Sequence, residues 1–377
     1  MKKAIKTAII TTVRHNVGDD FVREGIKHLL TSAFPDRQFH FQSIHKHAPI
    51  SSTYGFEWLR DNRFARRIDR FLPVSLLPDR IREADLIIQS GAPVFWCLPS
   101  DHSYCSQNEW YQPLMVRRRG MNPSVPFINL AGGSCQPYFS AGEEFDRFPA
   151  EYEYIRKLTR ESVLTTVRDP LAAQICAKAG VSALPVLPCT SIFAVDYHNI
   201  HPKPGEYVVF NYMEGGAHFT LGQKINSQEW RQTVLRLYGH LKTTIRVVFS
   251  CHNKKEIGEV RNLIPDAEIF FSEDYLEFMR FYSGASFGVM NRVHGAFLMA
   301  SLGKPSLIIG NDSRARMAEM IGLKSWFIND ATTDEMFRAL EQLINGLQDY
   351  PAVIGGIKNE SRKTYQNLLI QSLGNQI

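Results

Sequence analysis

Residues 286–316 read SFGVMNRVHGAFLMASLGKPSLIIGNDSRAR. Two short apolar runs, 286–290 and 306–310, flank a stretch of helical pattern at 296–302, and Gly, Asn and Pro punctuate the joins. Such runs read as buried strands, so the unit is strand, helix, strand. Its polar segments, 291–295 and 311–316, fall at the carboxyl ends of those strands, where open α/β sheets bind ligands. Gly295 lets the chain turn sharply between strand and helix, so that Arg292, His294 and the first free N–H groups of the helix converge on one anion. Arginine offers a planar fork for a carboxylate or phosphate, and histidine moves protons near neutral pH. A helix-start ion pair with a satisfied histidine has the same local sequence. The surrounding strand, helix, strand context is what favours a site.

The same alternation extends through the chain. A first strand within 1–13 leads through Asn16-Val17-Gly18-Asp19-Asp20 into a helix at 21–32, whose Phe21, Ile26, Leu29 and Leu30 form an apolar stripe. Apolar strands at 84–93 and 126–134 end in glycine turns, at Gly91 and at Gly132-Gly133-Ser134, and the strand 163–170 ends in Arg168-Asp169-Pro170 before a helix at 171–179. The proline-rich segment 185–204 reads as a linker. Strands at 206–211, 244–250 and 267–271 then alternate with helices at 227–241, 256–263 and 275–283, and helices at 333–346 and 359–373 close the chain. The pattern predicts an α/β protein of two Rossmann-like domains facing across a cleft. Residues 1–190 form the first, 205–350 the second, and 351–377 a closing helix that packs back across the first.

Composition agrees with that size. A chain of 377 residues with 44% hydrophobic and 21% charged residues suits two globular domains. The net charge of +5 includes arginine clusters at 60–67 and 117–119, without the interleaved aromatics of a nucleic-acid groove. We therefore expect no nucleic-acid partner, while peripheral contact of those clusters with an anionic membrane surface stays open. Six scattered cysteines with no Cys-x-x-Cys pair predict reduced thiols, a cytoplasmic setting and no metal site. Lys6 and several threonines interrupt the apolar N-terminus, which reads as a strand and not a signal peptide. No stretch approaches the ~20 apolar residues of a membrane span.

Four segments, in order, resemble the polysaccharide pyruvyl transferase family: Asn16-Val17-Gly18-Asp19, the strand 84–91 with its Ala-Asp start and glycine turn, Val167-Arg168-Asp169, and Arg292-Val293-His294-Gly295 with Gly303-Lys304-Pro305 and Asn311-Asp312-Ser313-Arg314. Three departures stand out. The turn Ser90-Gly91-Ala92-Pro93 has one glycine where the family often has two or three, Cys189 stands where an aspartate is common, and Arg314 replaces a usual lysine.

The resemblance implies a GT-B-like fold and transfer of a pyruvyl group from phosphoenolpyruvate, as co-substrate and without a further cofactor, to a saccharide or lipid-linked saccharide of the cell envelope or capsule. It implies Arg168 and Arg292 as anion clamps, one from each domain, with Arg314 and Gly295 on the donor side and His294 as general acid or base. Acceptor or loop candidates are Asn16, Gly18, Asp19, Gly91, Gly132, Gly133, His218 and Asp312. Asp19 and Asp312 also suit helix caps, and the Gly132-Gly133-Ser134 turn suits a backbone anion nest. A GT-B glycosyltransferase using a nucleotide sugar, or a non-catalytic glycan-binding relative, would fit the same fold.

Overall fold

The structure is a computed structural model describing residues 4–12, 16–46, 64, 81, 83–99, 103–108 and 124–377. Both arginine clusters fall outside the described residues, Phe64 excepted. In the first half lie β1 (Ile5–Thr11), β2 (Phe39–His45), β3 (Leu86–Gln89), β4 (Pro93–Phe95), the antiparallel pair β5 (Cys97–Leu98) and β6 (Ser103–Tyr104), β7 (Phe127–Ser134) and β8 (Leu164–Val167). Apart from that pair they build one parallel sheet in the order β2-β1-β3-β7-β4, with β8 also paired to β7.

The second half contributes β9 (Tyr207–Asn211), β10 (Arg246–Ser250), β11 (Ile269–Phe270), β12 (Ala285–Met290), β13 (Ser306–Gly310) and β14 (Ser325–Phe327). Their order is β11-β10-β9-β12-β13-β14, all parallel. Counted within this half it is 3-2-1-4-5-6, the doubly wound order, which reverses between β9 and β12. The crevice at that reversal opens above Asn211 and Arg292. Every residue of β7, β9 and β13 is buried, as covering a parallel sheet on both faces requires.

The helix Val293–Ser301 joins the halves. It begins three residues earlier than the apolar pattern indicates, because Arg292 itself makes the turn as an extended N-cap at φ −84°, ψ 106°. Gly295 therefore sits inside the first helical turn and does not form the bend. Its lack of a side chain serves close packing, since a Cβ there would stand 3.1 Å from the Tyr282 hydroxyl oxygen. All residues from Gly295 to Ser301 are buried. Phe297 and Ala300 pack with Ile9, Leu30 and Leu369, while Leu298 and Met299 pack with Phe278 and Tyr282. A helix apolar on all sides is a shared core element, and truncating Phe297 to alanine should cost about 3–5 kcal/mol.

The segment expected as an irregular linker is instead built in. A 3-10 helix, Thr190–Phe193, and a short helix, Ala194–Tyr197, lie against the helix Val17–Ala33. Gly25 allows that approach, because a Cβ there would meet the Thr190 carbonyl at 1.8 Å. The last helix, Tyr350–Leu373, starts nine residues before the expected 359. Pro351 occupies its first turn, where a missing N–H is harmless. Tyr365, Leu369 and Leu373 pack with Ile9 and Leu30 of the first half, and the Tyr365 hydroxyl donates to the Pro188 carbonyl at 2.9 Å. Among the described residues no helix is long and apolar enough to cross a membrane.

Candidate active site

The carboxyl ends of both sheets face one cavity of about 670 Å³. Thr12, Asn16, Gly18, Asp19 and Arg168 line it from the first half, and His218, His252, Arg292, His294, Asp312 and Arg314 from the second. Of the expected site residues, Gly91, Gly132, Gly133 and Gly295 are not on its walls.

Arg168 follows β8 and its guanidinium is wholly buried. Nη1 donates to the Gly91 carbonyl at 2.9 Å and to His294 Nε2 at 3.1 Å, and lies 3.6 Å from the Cys189 Sγ. Nε and Nη2 have no partner among the described residues. The adjacent carboxylate does not neutralise it, because Asp169 caps the helix Pro170–Lys178 through the Ala172 amide and accepts from the Ser134 amide and hydroxyl. A buried cation without a counter-charge is costly, and an anionic ligand offsets that cost.

His294 receives that arginine at Nε2. Arginine can only donate, so the neutral ring carries its hydrogen on Nδ1. Burial, then Arg168, Arg314, His252 and Arg292, holds the imidazole well below its ordinary pKa, so it is neutral in the free site. Gly18 permits the fit, since a Cβ there would come 2.7 Å from His294 Nδ1. The N-termini of the helices Val17–Ala33 and Val293–Ser301 thus meet at this imidazole, and their dipoles favour an anion beside it. Asn16 caps the first, accepting from the Gly18 amide at 3.2 Å, and Asp19 accepts a hydrogen bond from the Thr12 hydroxyl.

Arg292 is held quite differently. Its Nε donates to Glu256 Oε1 at 2.9 Å, Nη2 pairs with the same oxygen, and Nη1 donates to His218 Nε2. Glu256 is buried and also accepts from the His252 amide at 2.8 Å, Asn253 Nδ2 at 2.9 Å and Asn211 Nδ2 at 3.1 Å. Burial pushes its carboxyl up, but Arg292, His252 and these hydrogen bonds prevail and hold it below the usual range. His218 is pushed down to about 2 by burial and then Arg292, and His252 to about 4 by burial, with Arg292 adding to it and Glu256 opposing. Arg314 forms a two-bond pair with Asp312, which also caps the following 3-10 helix through the Arg314 amide at 2.9 Å.

Among the described residues Arg292 and Arg314 are therefore each paired with a carboxylate, whereas Arg168 is not. Gly132 and Gly133 lie within β7 and not in a turn, and the Gly133 amide bonds the Ala92 carbonyl at 3.0 Å, so the expected nest does not form there. Gly133 instead makes room for Arg168, whose Nε a Cβ would approach to 2.4 Å. Gly91 contributes the carbonyl that fixes Nη1. Sequence reasoning overlooked Glu256 and His252. The signal was Asn253-x-x-Glu256 directly after a strand, a reciprocal cap in which Asn253 Oδ1 receives the Glu256 amide at 3.0 Å.

The profile of the family described as polysaccharide pyruvyl transferase matches residues 16–313, which contain every cavity residue above except Thr12 and Arg314. The chain belongs to the polysaccharide pyruvyl transferase family. A search of curated proteins found no match. Among solved structures, a putative UDP-N-acetylglucosamine 2-epimerase from Listeria monocytogenes is similar over 93% of this chain and 91% of its own, at 10% identity and TM-score 0.52. The UDP-GlcNAc 2-epimerase from Neisseria meningitidis, bound to UDP-GlcNAc, is similar over 96% and 99%, at 12% identity and TM-score 0.52. That from Methanocaldococcus jannaschii is similar over 90% and 92%, at 14% identity and TM-score 0.50. At such identities the likeness is one of fold, and this member of the pyruvyl transferase family has the GT-B arrangement of two facing parallel-sheet halves.

Proposed function

We propose that this chain transfers a pyruvyl group from phosphoenolpyruvate to a sugar of a cell-envelope or capsular polysaccharide, or of its lipid-linked precursor, forming a cyclic ketal. One observation carries the reading: Arg168, a buried guanidinium without a carboxylate partner among the described residues, touches a neutral histidine on the wall of a cavity at two helix N-termini. That is a receptor for a small anion next to a proton-transfer group. Six buried free thiols and a donor from central metabolism suit a cytoplasmic reaction. No cofactor enters the scheme.

The donor's carboxylate takes Arg168, drawing Nη1 from His294 and freeing Nε2 to accept a proton. The donor's negative charge raises the imidazole's pKa, since an opposite charge nearby favours the protonated form. His294 then gives its proton to the methylene carbon, turning it into a methyl group and leaving cationic character on the neighbouring carbon. A sugar hydroxyl adds there and loses its proton, the carbon–oxygen bond to phosphate breaks, and a second hydroxyl closes the ketal with loss of its own proton. Phosphate leaves near Arg292 and Arg314, whose carboxylate partners keep them from binding it too tightly to release. Positioning and electrostatic stabilisation of this kind supply several powers of ten in rate.

The test is to incubate the protein with phosphoenolpyruvate and a panel of saccharide acceptors, measuring phosphate release and the mass of the product. Acceptor-dependent phosphate with a pyruvyl-ketal mass gain supports the reading. Sugar transfer from a nucleotide sugar, with no reaction of phosphoenolpyruvate, would replace it by glycosyl transfer.

A further inference from the structure

The loop after β9, Met213 to Gln223, carries an aromatic ring that the donor chemistry does not use. Phe219 lines the cavity and is 63% exposed. An unburied phenyl forgoes roughly 1.5–3 kcal/mol of hydrophobic stabilisation. A mobile loop would let it turn inward, but this loop is tied down. Asn311 Nδ2 donates to the Gly215 carbonyl at 2.6 Å and the Phe219 carbonyl at 2.9 Å, and Gln223 Nε2 donates to the Asn311 carbonyl at 2.6 Å. Gly216 takes φ +76°, and a Cβ there would meet Ile328 Cδ1 at 2.8 Å, so the turn is seated on buried Ile328. The backbone thus fixes an apolar ring on a wall of the cavity, beside polar groups such as His218 and Asn253.

From this we infer that Phe219 is the stacking platform of a saccharide subsite, taking the apolar C–H face of a pyranose ring, with His218 beside it as a hydrogen-bond donor to the sugar. His218 Nε2 is occupied by Arg292, which leaves Nδ1–H as the donor. The neighbouring walls bear Asn253, Lys255 and Asp312, groups suited to hydroxyls. They break the apolar surface that a lipid chain would need, so the occupant is the sugar. A three-carbon donor at Arg168 leaves most of the cavity's 670 Å³ for such a ring. The subsite rests on the saccharide-acceptor half of the proposed function, and not on the identity of the donor.

Phe219→Trp places a fluorophore on the platform. Titrating it with p-nitrophenyl-free methyl hexopyranosides, without donor, should shift its emission saturably relative to wild type. Vesicles or detergent-dispersed isoprenoid lipid should leave it unmoved. In turnover with whichever saccharide reacts, Phe219→Ala should raise the acceptor KM at least tenfold, leave the KM for phosphoenolpyruvate within about twofold, and Phe219→Trp should restore acceptor binding. A shift with lipid alone, no shift with any hexoside, or an unchanged acceptor KM in Phe219→Ala would overturn the subsite. Ketal formation with an unchanged acceptor KM sinks the subsite while pyruvyl transfer stands. Hexoside binding without reaction of phosphoenolpyruvate retains the subsite and removes the donor.

Discussion

Arg168 Nη1 lies 3.1 Å from His294 Nε2, an arginine just past β8 of the first half donating to a histidine 126 residues later in the first turn of a helix of the second half. The pair closes the cleft at one point and leaves two of the three guanidinium nitrogens without a partner among the described residues. Functional and structural consequences can be separated there, because among the described residues the arginine's charge balances no carboxylate.

Arg168→Met should abolish turnover, by at least about a thousandfold, without lowering the melting temperature by more than a few degrees. Removing an uncompensated buried cation relieves desolvation, which offsets the hydrogen bond lost to Gly91. Thermal melts with and without phosphoenolpyruvate check this. Stabilisation by the donor should vanish in the variant, and a donor shift equal to wild type would remove Arg168 from binding.

Glu256 should behave in the opposite way. Glu256→Ala leaves Arg292 buried and unpaired and frees the His252 amide and Asn211, so about 3–5 kcal/mol of stability should go. Adding Arg292→Met to that variant should recover part of the loss, because the orphaned charge is gone. Urea unfolding of the two singles and the double measures the coupling, and additive losses would refute a paired design.

Gly18→Ala tests the close approach to the imidazole. Its Cβ would be 2.7 Å from His294 Nδ1, so the ring must rotate off Arg168. We expect kcat to fall by about a hundredfold with a modest change in melting temperature. Wild-type kcat would show that His294 needs no fixed orientation.

Stability should fall as the pH drops from 7 towards 5. His218, His252 and His294 are all held below the ordinary 6.5, so the unfolded chain gains protons that the native state refuses. Each such proton contributes a slope of up to ~1.4 kcal/mol per pH unit once the pH is below 6.5. Asp20 opposes this, since burial, with Arg23 opposing, leaves its carboxyl at about 6 and the native state takes that proton first. His28 is also lowered by burial, with Asp196 opposing, so four histidines against one aspartate leave a net loss. Urea midpoints at pH 7, 6 and 5 should decline in order, and His252→Asn should flatten the slope. A midpoint that is level or rises on acidification would contradict neutral histidines in the folded site.

The sequence made some of this legible and hid the rest for physical reasons. Strand 306–310 and the helix 275–283 match their observed spans, because a buried parallel strand and an amphipathic helix write their periods into consecutive residues. The helix Val293–Ser301 was misjudged at its start because its cap is Arg292, a residue type that gives no capping signal. Gly132 and Gly133 looked like a turn because glycine's permissive backbone and its small volume leave the same letter in the sequence.

By itself the sequence determined the alternation of strands and helices, the polar carboxyl ends of the strands, and the residue types able to hold an anion and move a proton. Tertiary structure alone decided which cation is free. Arg168, Arg292 and Arg314 look equivalent as letters, yet Glu256 and Asp312 neutralise two of them, while Asp169 turns from Arg168 to cap a helix. The Glu256–Arg292 pairing joins charges 36 residues apart, and adjacency leaves Asp169 unpaired with Arg168 while Asp312 takes its near neighbour Arg314, because Coulomb energy in a buried site follows distance in space and not separation in sequence.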